Sequence, residues 1–585
     1  MFVFSESRVV ALSLASLAVA VGFLYITTCT NLFPKTLCFA IEALLALPIY
    51  RLTFHPLANY PGPWLAAVTD LYTVYHCLAG DRHLDFLRLH EKYGPVVRFG
   101  PNRLSFCSDH AVSDIYGVRA NTQKSRVYSA FKHFFAVPAS LTTIDRKVHS
   151  YKRRVTSRAL NTSAVRGLEE LILQNVRRFF ALLPSSSQNE EDQPQWSPQT
   201  VDFSKSFQYL LSDIMGDVTF SKNWNTQASS ANRPLLDLMT LGTCGINLAG
   251  HVPALLKLNL DCICFPSLTR GVADFFRLSE AQSSWRLNVE PTSLPHRDLF
   301  AALLDARDPD SGRGYSQPDL VAEAGILIVA GSDTTATATT ATLFYLLHNA
   351  DAYARARDEV DAIFLQHSDP DAGADIEAIR MGPALDRCVF LYACINEAMR
   401  LSPPVGAVLP REVLPGGLLV RINDSEQYTV PAGTDVAVPI YALHRQEKYW
   451  SDPHVFCPER WLGTSDLQEP ELKDGKRSSL STGGVGHANR NAYMPFGAGR
   501  TSCVGQHLAY QEMGLILARL LRAYEMRLVP ESRGDEGGRW KGTWERRWRR
   551  EREADFQTRD VFTSTHEGPV VQIRRRQLGK KIESG

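Results

Sequence analysis

Apolar and polar positions divide the chain into a long apolar start, a mostly helical body and two late polar interruptions. Residues 9–28 are apolar and uncharged, flanked by Arg8 and Lys35, and about 20 such positions suffice to cross a bilayer core. A cleaved signal peptide would have a shorter apolar region ending at a small-residue site, so a retained anchor is expected. Residues 37–50 form a second apolar run, broken by Glu42. It is short for a span and reads as a second span, an interfacial helix or a tuck against the body of the protein. Pro56, Pro61 and Pro63 then enforce extended backbone. Alternation at Val96–Phe99 and Leu104–Phe106 predicts a small hairpin turning at Gly100-Pro-Asn. Asp145 is placed to cap a helix on which His149 and Arg153 share a face. Residues 167–286 alternate helical stretches with polar loops, residues 185–197 being one such insertion. From Ala324 to Leu347 the pattern is a long apolar helix with Ile326, Ala330 and Thr334 on one face. Residues 428–438 read as strand–turn–strand and residues 506–521 as a helix. Residues 463–490 and 532–555 are polar insertions, the second interleaving tryptophans with basic residues.

Composition narrows the class. With 585 residues and 44% hydrophobic content, the chain can bury a large core. Residues 1–52 are assigned to anchor and linker and residues 53–585 to one catalytic body. A net charge of +1 leaves no nucleic-acid footprint. The eleven cysteines are scattered without a CxxC pair, which excludes the usual zinc sites and a secreted disulfide framework.

The candidate chemistry lies in three stretches. In Phe496-Gly-Ala-Gly-Arg-Thr-Ser-Cys503-Val-Gly505, one cysteine sits in a glycine-rich loop just before a helix. The helix dipole and nearby amides favour thiolate there, and a lone thiolate is what an axial haem-iron ligand requires. In Ala330-Gly331-Ser-Asp333-Thr334, small residues leave room beside the helix for a ligand. An Asp-Thr pair in mid-helix breaks a local rule, as functional sites do. Glu397-Ala-Met-Arg400 places opposite charges three apart on a helix.

Together these stretches, with Pro458-Glu-Arg460-Trp and the proline-rich His55–Pro63 segment, resemble the cytochrome P-450 family over residues 50–575. Residues 50–117 are similar to filamentous-fungal members. The resemblance implies a mainly α triangular-prism fold with a small β region, behind an N-terminal membrane anchor. It implies haem as cofactor, with Cys503 as the metal ligand and Phe496, Gly497, Gly499, Arg500, Gly505, Ala330 and Gly331 around it. His149, Arg153 and Arg411 are implied as propionate contacts. Thr334 and Asp333 are implied to manage dioxygen and protons, and Glu397, Arg400 and Arg460 to form a structural network. Residues 121–143 and 405–408 are implied to border the substrate space. One departure stands out: the family's usual arginine two residues before the cysteine is Thr501 here, with Arg500 one earlier, leaving the propionate role of Arg500 open.

The implied activity is a monooxygenase inserting one atom of O2 into a small apolar substrate by hydroxylation or epoxidation. Fungal secondary metabolism or aromatic oxidation is the implied setting. Electrons would come from NADPH through a membrane-bound reductase, with cytochrome b5 as an optional second donor. The implied location is the endoplasmic reticulum membrane, with the catalytic body in the cytosol. Two other functions fit the pattern: a haem-thiolate isomerase or dehydratase, and a non-catalytic haem-binding membrane protein.

Overall fold

The structure, a computed structural model, describes residues 45–133, 137–184, 196–252, 258, 261–290, 294, 296–365, 376–463, 489–529 and 554–576. The principal helices are α1 (Arg82–Tyr93), α2 (Arg146–Ala159), α3 (Glu169–Leu182), α4 (Phe203–Phe220), α5 (Pro234–His251), α6 (Pro266–Leu287), α7 (Gln317–His348), α8 (Ala350–Phe364), α9 (Val389–Leu401) and α10 (Gln506–Ala523). Helix α7 is the spine, packing against α4, α6, α9 and α10. Phe207, Ile214, Leu343, Leu391 and Leu515 join α4, α7, α9 and α10 in the largest apolar core.

The ends and interior of α7 follow from its sequence. Ser316 and Asp319 close a reciprocal capping box with proline in the first turn. The threonine-rich stretch is buried because its hydroxyls bond within the helix. Thr334, Thr337, Thr339, Thr340 and Thr342 each donate to the carbonyl four residues earlier. This removes the penalty for burying them.

Strands β1 (Val96–Gly100), β2 (Arg103–Phe106), β3 (Thr122–Lys124), β5 (Arg411–Val413) and β8 (Asp435–Ala437) form a five-stranded sheet in the order β1-β2-β8-β5-β3. The expected hairpin is β1–β2, with Val96 opposite Phe106. A three-stranded sheet orders β4 (Thr200–Asp202), β12 (Val570–Arg575) and β9 (Tyr524–Leu528) as β4-β12-β9. Strands β6 (Leu418–Arg421) and β7 (Gln427–Val430) pair, as do β10 (Arg559–Val561) and β11 (Thr563–Thr565). The 428–438 pattern is therefore not one hairpin. Its halves join different sheets, since β7 pairs β6 while β8 pairs β2 and β5.

Residues 1–44, which carry the anchor reading at 9–28 and most of the run at 37–50, lie outside the described residues, as do residues 464–488 and 530–553. Residues 45–53 are helical. Among the described residues, no helix is long and apolar enough to cross a membrane.

Candidate functional site

The loop before α10 is shaped by two glycines. Gly497 and Gly499 have φ of +68° and +62°, and a Cβ on Gly499 would stand 1.9 Å from the Tyr116 carbonyl oxygen, so only glycine fits there. The loop closes when the Cys503 amide donates to the Phe496 carbonyl (2.8 Å). Gly505 is the N-cap of α10 with an ordinary φ of −86°. Burial pushes the Cys503 thiol up, while the amides of Gly505 and Gln506 and the Arg153 guanidinium pull it down. The thiol opens onto a cavity of about 270 Å³.

That cavity gathers residues far apart in sequence. Phe496, Gly497, Gly505 and Cys503 line it from the loop, and Ile326, Ala330, Gly331 and Thr334 from α7. Phe131, Ser140 and Leu141 line it from the segment after β3, and Val405 and Leu409 from the segment before β5. Val408 packs instead with Phe86 and Phe99. The small residue at 331 has a second use: a Cβ there would meet the Met215 sulfur of α4 at 2.6 Å. Gly331 therefore admits Met215, and Ala330 leaves the space beside the helix.

Thr334 and Asp333 face differently. The Thr334 hydroxyl lies at the cavity and donates to the Ala330 carbonyl (2.6 Å). Asp333 does not line the cavity; burial raises its carboxyl to about 6, opposed by the Thr563 side chain of β11.

One edge of the site is basic. Helix α2, capped by Asp145 through the amides of Lys147 and Val148 (both 2.9 Å), carries His149 and Arg153 to the cavity. Lys124 of β3 joins them. Burial lowers His149 to about 3, helped by Lys124, Arg153, Arg411 and Arg500. Among the described residues, no ion pair joins Lys124, Arg153, Arg411 or Arg500 to a carboxylate. Arg411 and Arg500 stand outside the cavity lining. Arg411 donates to the Thr501 hydroxyl (2.6 Å), and that hydroxyl's residue lines the cavity in its place. Arg500 turns toward the carbonyls of Ala120 (3.5 Å) and Thr122 (3.3 Å). A thiol on one wall, a helix with a small residue on another and a basic edge whose arginines have no carboxylate partner among the described residues fit a flat, dianionic iron macrocycle such as haem.

Behind the loop, Glu397, Arg400 and Arg460 are buried together. Arg400 grips Glu397 through two bonds (2.9 and 2.8 Å), Arg460 adds one at 3.0 Å, and the Trp461 indole N–H adds another at 2.9 Å. The network reaches the loop through His444. Its Nε2 accepts the Met494 amide (3.0 Å), so its Nδ1 carries the proton and donates to the Arg400 carbonyl (3.0 Å). Burial lowers His444 to about 3 and keeps it neutral for this role.

Lys124, His444 and two buried acids on the cavity wall, Glu323 and Glu512, escape sequence reasoning. Only Glu323 carries a signal. It lies seven residues before Ala330, about two helical turns along the same face.

The chain matches the family model described as cytochrome P-450 over residues 61–537. It is 34% identical over 553 residues to the cytochrome P-450 monooxygenase AKT7 of Alternaria alternata, covering 94% of this chain and 98% of that protein. It is 34% identical over 533 residues to the monooxygenase poxM of Penicillium oxalicum, covering 91% and 93%. Against the monooxygenase apf7 of Gibberella fujikuroi it is 31% identical over 555 residues, covering 92% and 97%.

Proposed function

The chain belongs to the cytochrome P-450 family, a haem-thiolate monooxygenase, and from that premise we propose how its own residues serve the reaction. Haem iron, when bound, supplies the activation of O2 with electrons delivered by a reductase. Cys503 is the thiolate ligand, its charge favoured by the amides of Gly505 and Gln506 and by Arg153. Lys124, His149, Arg153 and the Arg411-braced Thr501 receive the propionates. Thr334 holds a hydroxyl proton at the cavity. Asp333, titrating near 6, gives up and regains a proton readily at neutral pH. Its carboxyl sits off the cavity face, and the Thr563 side chain beside it, which lines the cavity, is the group through which its proton passes. Leu141, Ile326, Val405 and Leu409 exclude water and orient a small apolar substrate for hydroxylation or epoxidation. The relatives are monooxygenases of fungi, and fungal secondary metabolism is the setting proposed for this chain. NADPH serves through a membrane-bound reductase, and the apolar residues 9–28 anchor the chain in the endoplasmic reticulum membrane with its body in the cytosol.

One observation carries this reading: the Cys503 thiol, with amide donors behind it, opens on the same cavity as the Thr334 hydroxyl. The test is the reduced, carbon monoxide difference spectrum of the parent and of Cys503→Ala. The red-shifted Soret band of a thiolate-ligated haem is expected in the parent and absent in the variant. A parent that is folded but shows only the shorter-wavelength band overturns the assignment.

A further inference from the structure

The segment from Val137 to Ile144 has no regular secondary structure, yet Ser140 and Leu141 form part of the cavity wall. Backbone groups in such a segment must find partners elsewhere. Here they find charged side chains from three elements. Lys124 of β3 donates to the carbonyls of Ser140 (2.7 Å) and Leu141 (2.6 Å). Lys152 of α2 donates to the carbonyl of Pro138 (2.5 Å). Glu323 of α7 accepts both the Ser140 amide (2.6 Å) and the Ser140 hydroxyl (2.7 Å).

The charged groups are themselves tied together. Lys152 lies 2.7 Å from Asp319 and 3.7 Å from Glu323. Glu323 is 1% exposed and Lys152 3% exposed. Taking both out of water is unfavourable unless the geometry is fixed and the remaining valences are satisfied. Burial raises the Glu323 carboxyl, and Lys152 and Ser140 oppose that rise. A hydrophobic pair would fill the space as well, so the arrangement is explained by what it holds in place.

We propose that Glu323 is a positioning residue for substrate selection, clamping the 137–144 segment so that Leu141 stands at a fixed place in the cavity wall. The inference rests on reading this cavity as the monooxygenase site. Lys152 and Lys124 are the supporting members of the clamp. The consequence is steric. Freed from Glu323, the segment moves outward and bulky molecules enter and leave more easily, while small ones are unaffected.

The test uses the full chain and probes of two sizes, imidazole and 4-phenylimidazole, each binding the haem of the parent, Glu323→Ala, Glu323→Gln and Lys152→Met. Amide exchange over residues 137–144 is followed in the same samples. In Glu323→Ala, exchange in this segment is expected to rise at least tenfold and 4-phenylimidazole to dissociate about tenfold faster. Imidazole binding and the carbon monoxide band stay as in the parent. Glu323→Gln, which keeps an acceptor for the Ser140 amide, recovers part of the change. Unchanged exchange and unchanged discrimination between the probes in Glu323→Ala overturn the clamp. If Glu323→Ala fails to fold, Lys152→Met and Glu323→Gln read the same two quantities. Absence of a thiolate-type band in the parent overturns the reading of the site instead, while the exchange data still decide the clamp.

Discussion

Glu512 on α10 is a carboxyl on the cavity wall, 1% exposed, whose Oε1 finds no hydrogen-bond partner among the described residues. Burial alone raises it to about 8. In the unfolded chain it ionises near 4.5. Between these values the folded state keeps a proton that the unfolded state releases, so this residue lowers stability as pH rises from 4.5 to about 8. At pH 7 the penalty reaches about 3 kcal/mol as an upper limit, at about 1.36 kcal/mol per unit. Glu512→Gln is therefore expected to melt higher than the parent at pH 7 and about equal to it near pH 4.5. Melting curves across that range check it, and parallel curves for the two proteins would contradict it. Nothing in the sequence marks this residue, because a glutamate in a helix reads as surface. The neighbouring glycines show the same limit. Gly497, Gly499 and Gly505 look equivalent in sequence, yet the first two need positive φ and Gly505 does not. Tyr116, which makes Gly499 obligatory, lies hundreds of residues away.

At the scale of elements, the Glu397–Arg400 pair on α9 was legible from spacing, but its purpose depends on partners that spacing does not give. Arg400 donates to the carbonyls of His444 and Pro453 (both 2.7 Å), and Glu397 accepts the Cys457 amide (3.1 Å). The network thus binds α9 to the segment leading into the cysteine loop. Glu397→Ala strands two buried guanidinium groups, and removing one partner of a buried pair costs about 3–5 kcal/mol. The expected outcome is a lower melting temperature with poor haem retention. His444→Ala, which removes the hydrogen bonds to the Met494 amide and the Arg400 carbonyl but strands no charge, is expected to lose less stability. Denaturant unfolding and haem content of both variants decide the order. Helix α7 was also legible from its period, and Gly331 lines the cavity as its position suggests. The period locates a face but cannot say that Met215 of α4 fills one position on it.

The whole molecule brings Lys124 from β3, His149 and Arg153 from α2, Arg411 from β5 and Arg500 from the cysteine loop to one edge. The sequence disclosed His149, Arg153, Arg411 and Arg500 through motif resemblance. It did not disclose Lys124, nor that Arg411 works through Thr501, because these depend on how β3 and β5 pair. Burial, helped by repulsion from these groups when no anion is bound, holds His149 neutral down to about 3, against an ordinary value of 6.5. For a depressed histidine the unfolded state binds the extra proton. Stability is thus lost as pH falls from about 6.5 towards 3. A bound dianion offsets the repulsive part by attracting the arginines and lysine and favouring the charged imidazole. Haem-free protein is therefore expected to be acid-sensitive and to gain stability with added salt, which screens the repulsion. Haem binding adds stability by linkage, as binding only the folded state must. Arg153→Met is expected to narrow the gap in melting temperature between haem-loaded and haem-free protein. His149→Gln is expected to remove part of the acid sensitivity of the haem-free protein. Melting both forms from pH 4 to 7 at low and high salt tests the arrangement. A gap and an acid limb unchanged by both substitutions would mean that the basic edge does not face the propionates.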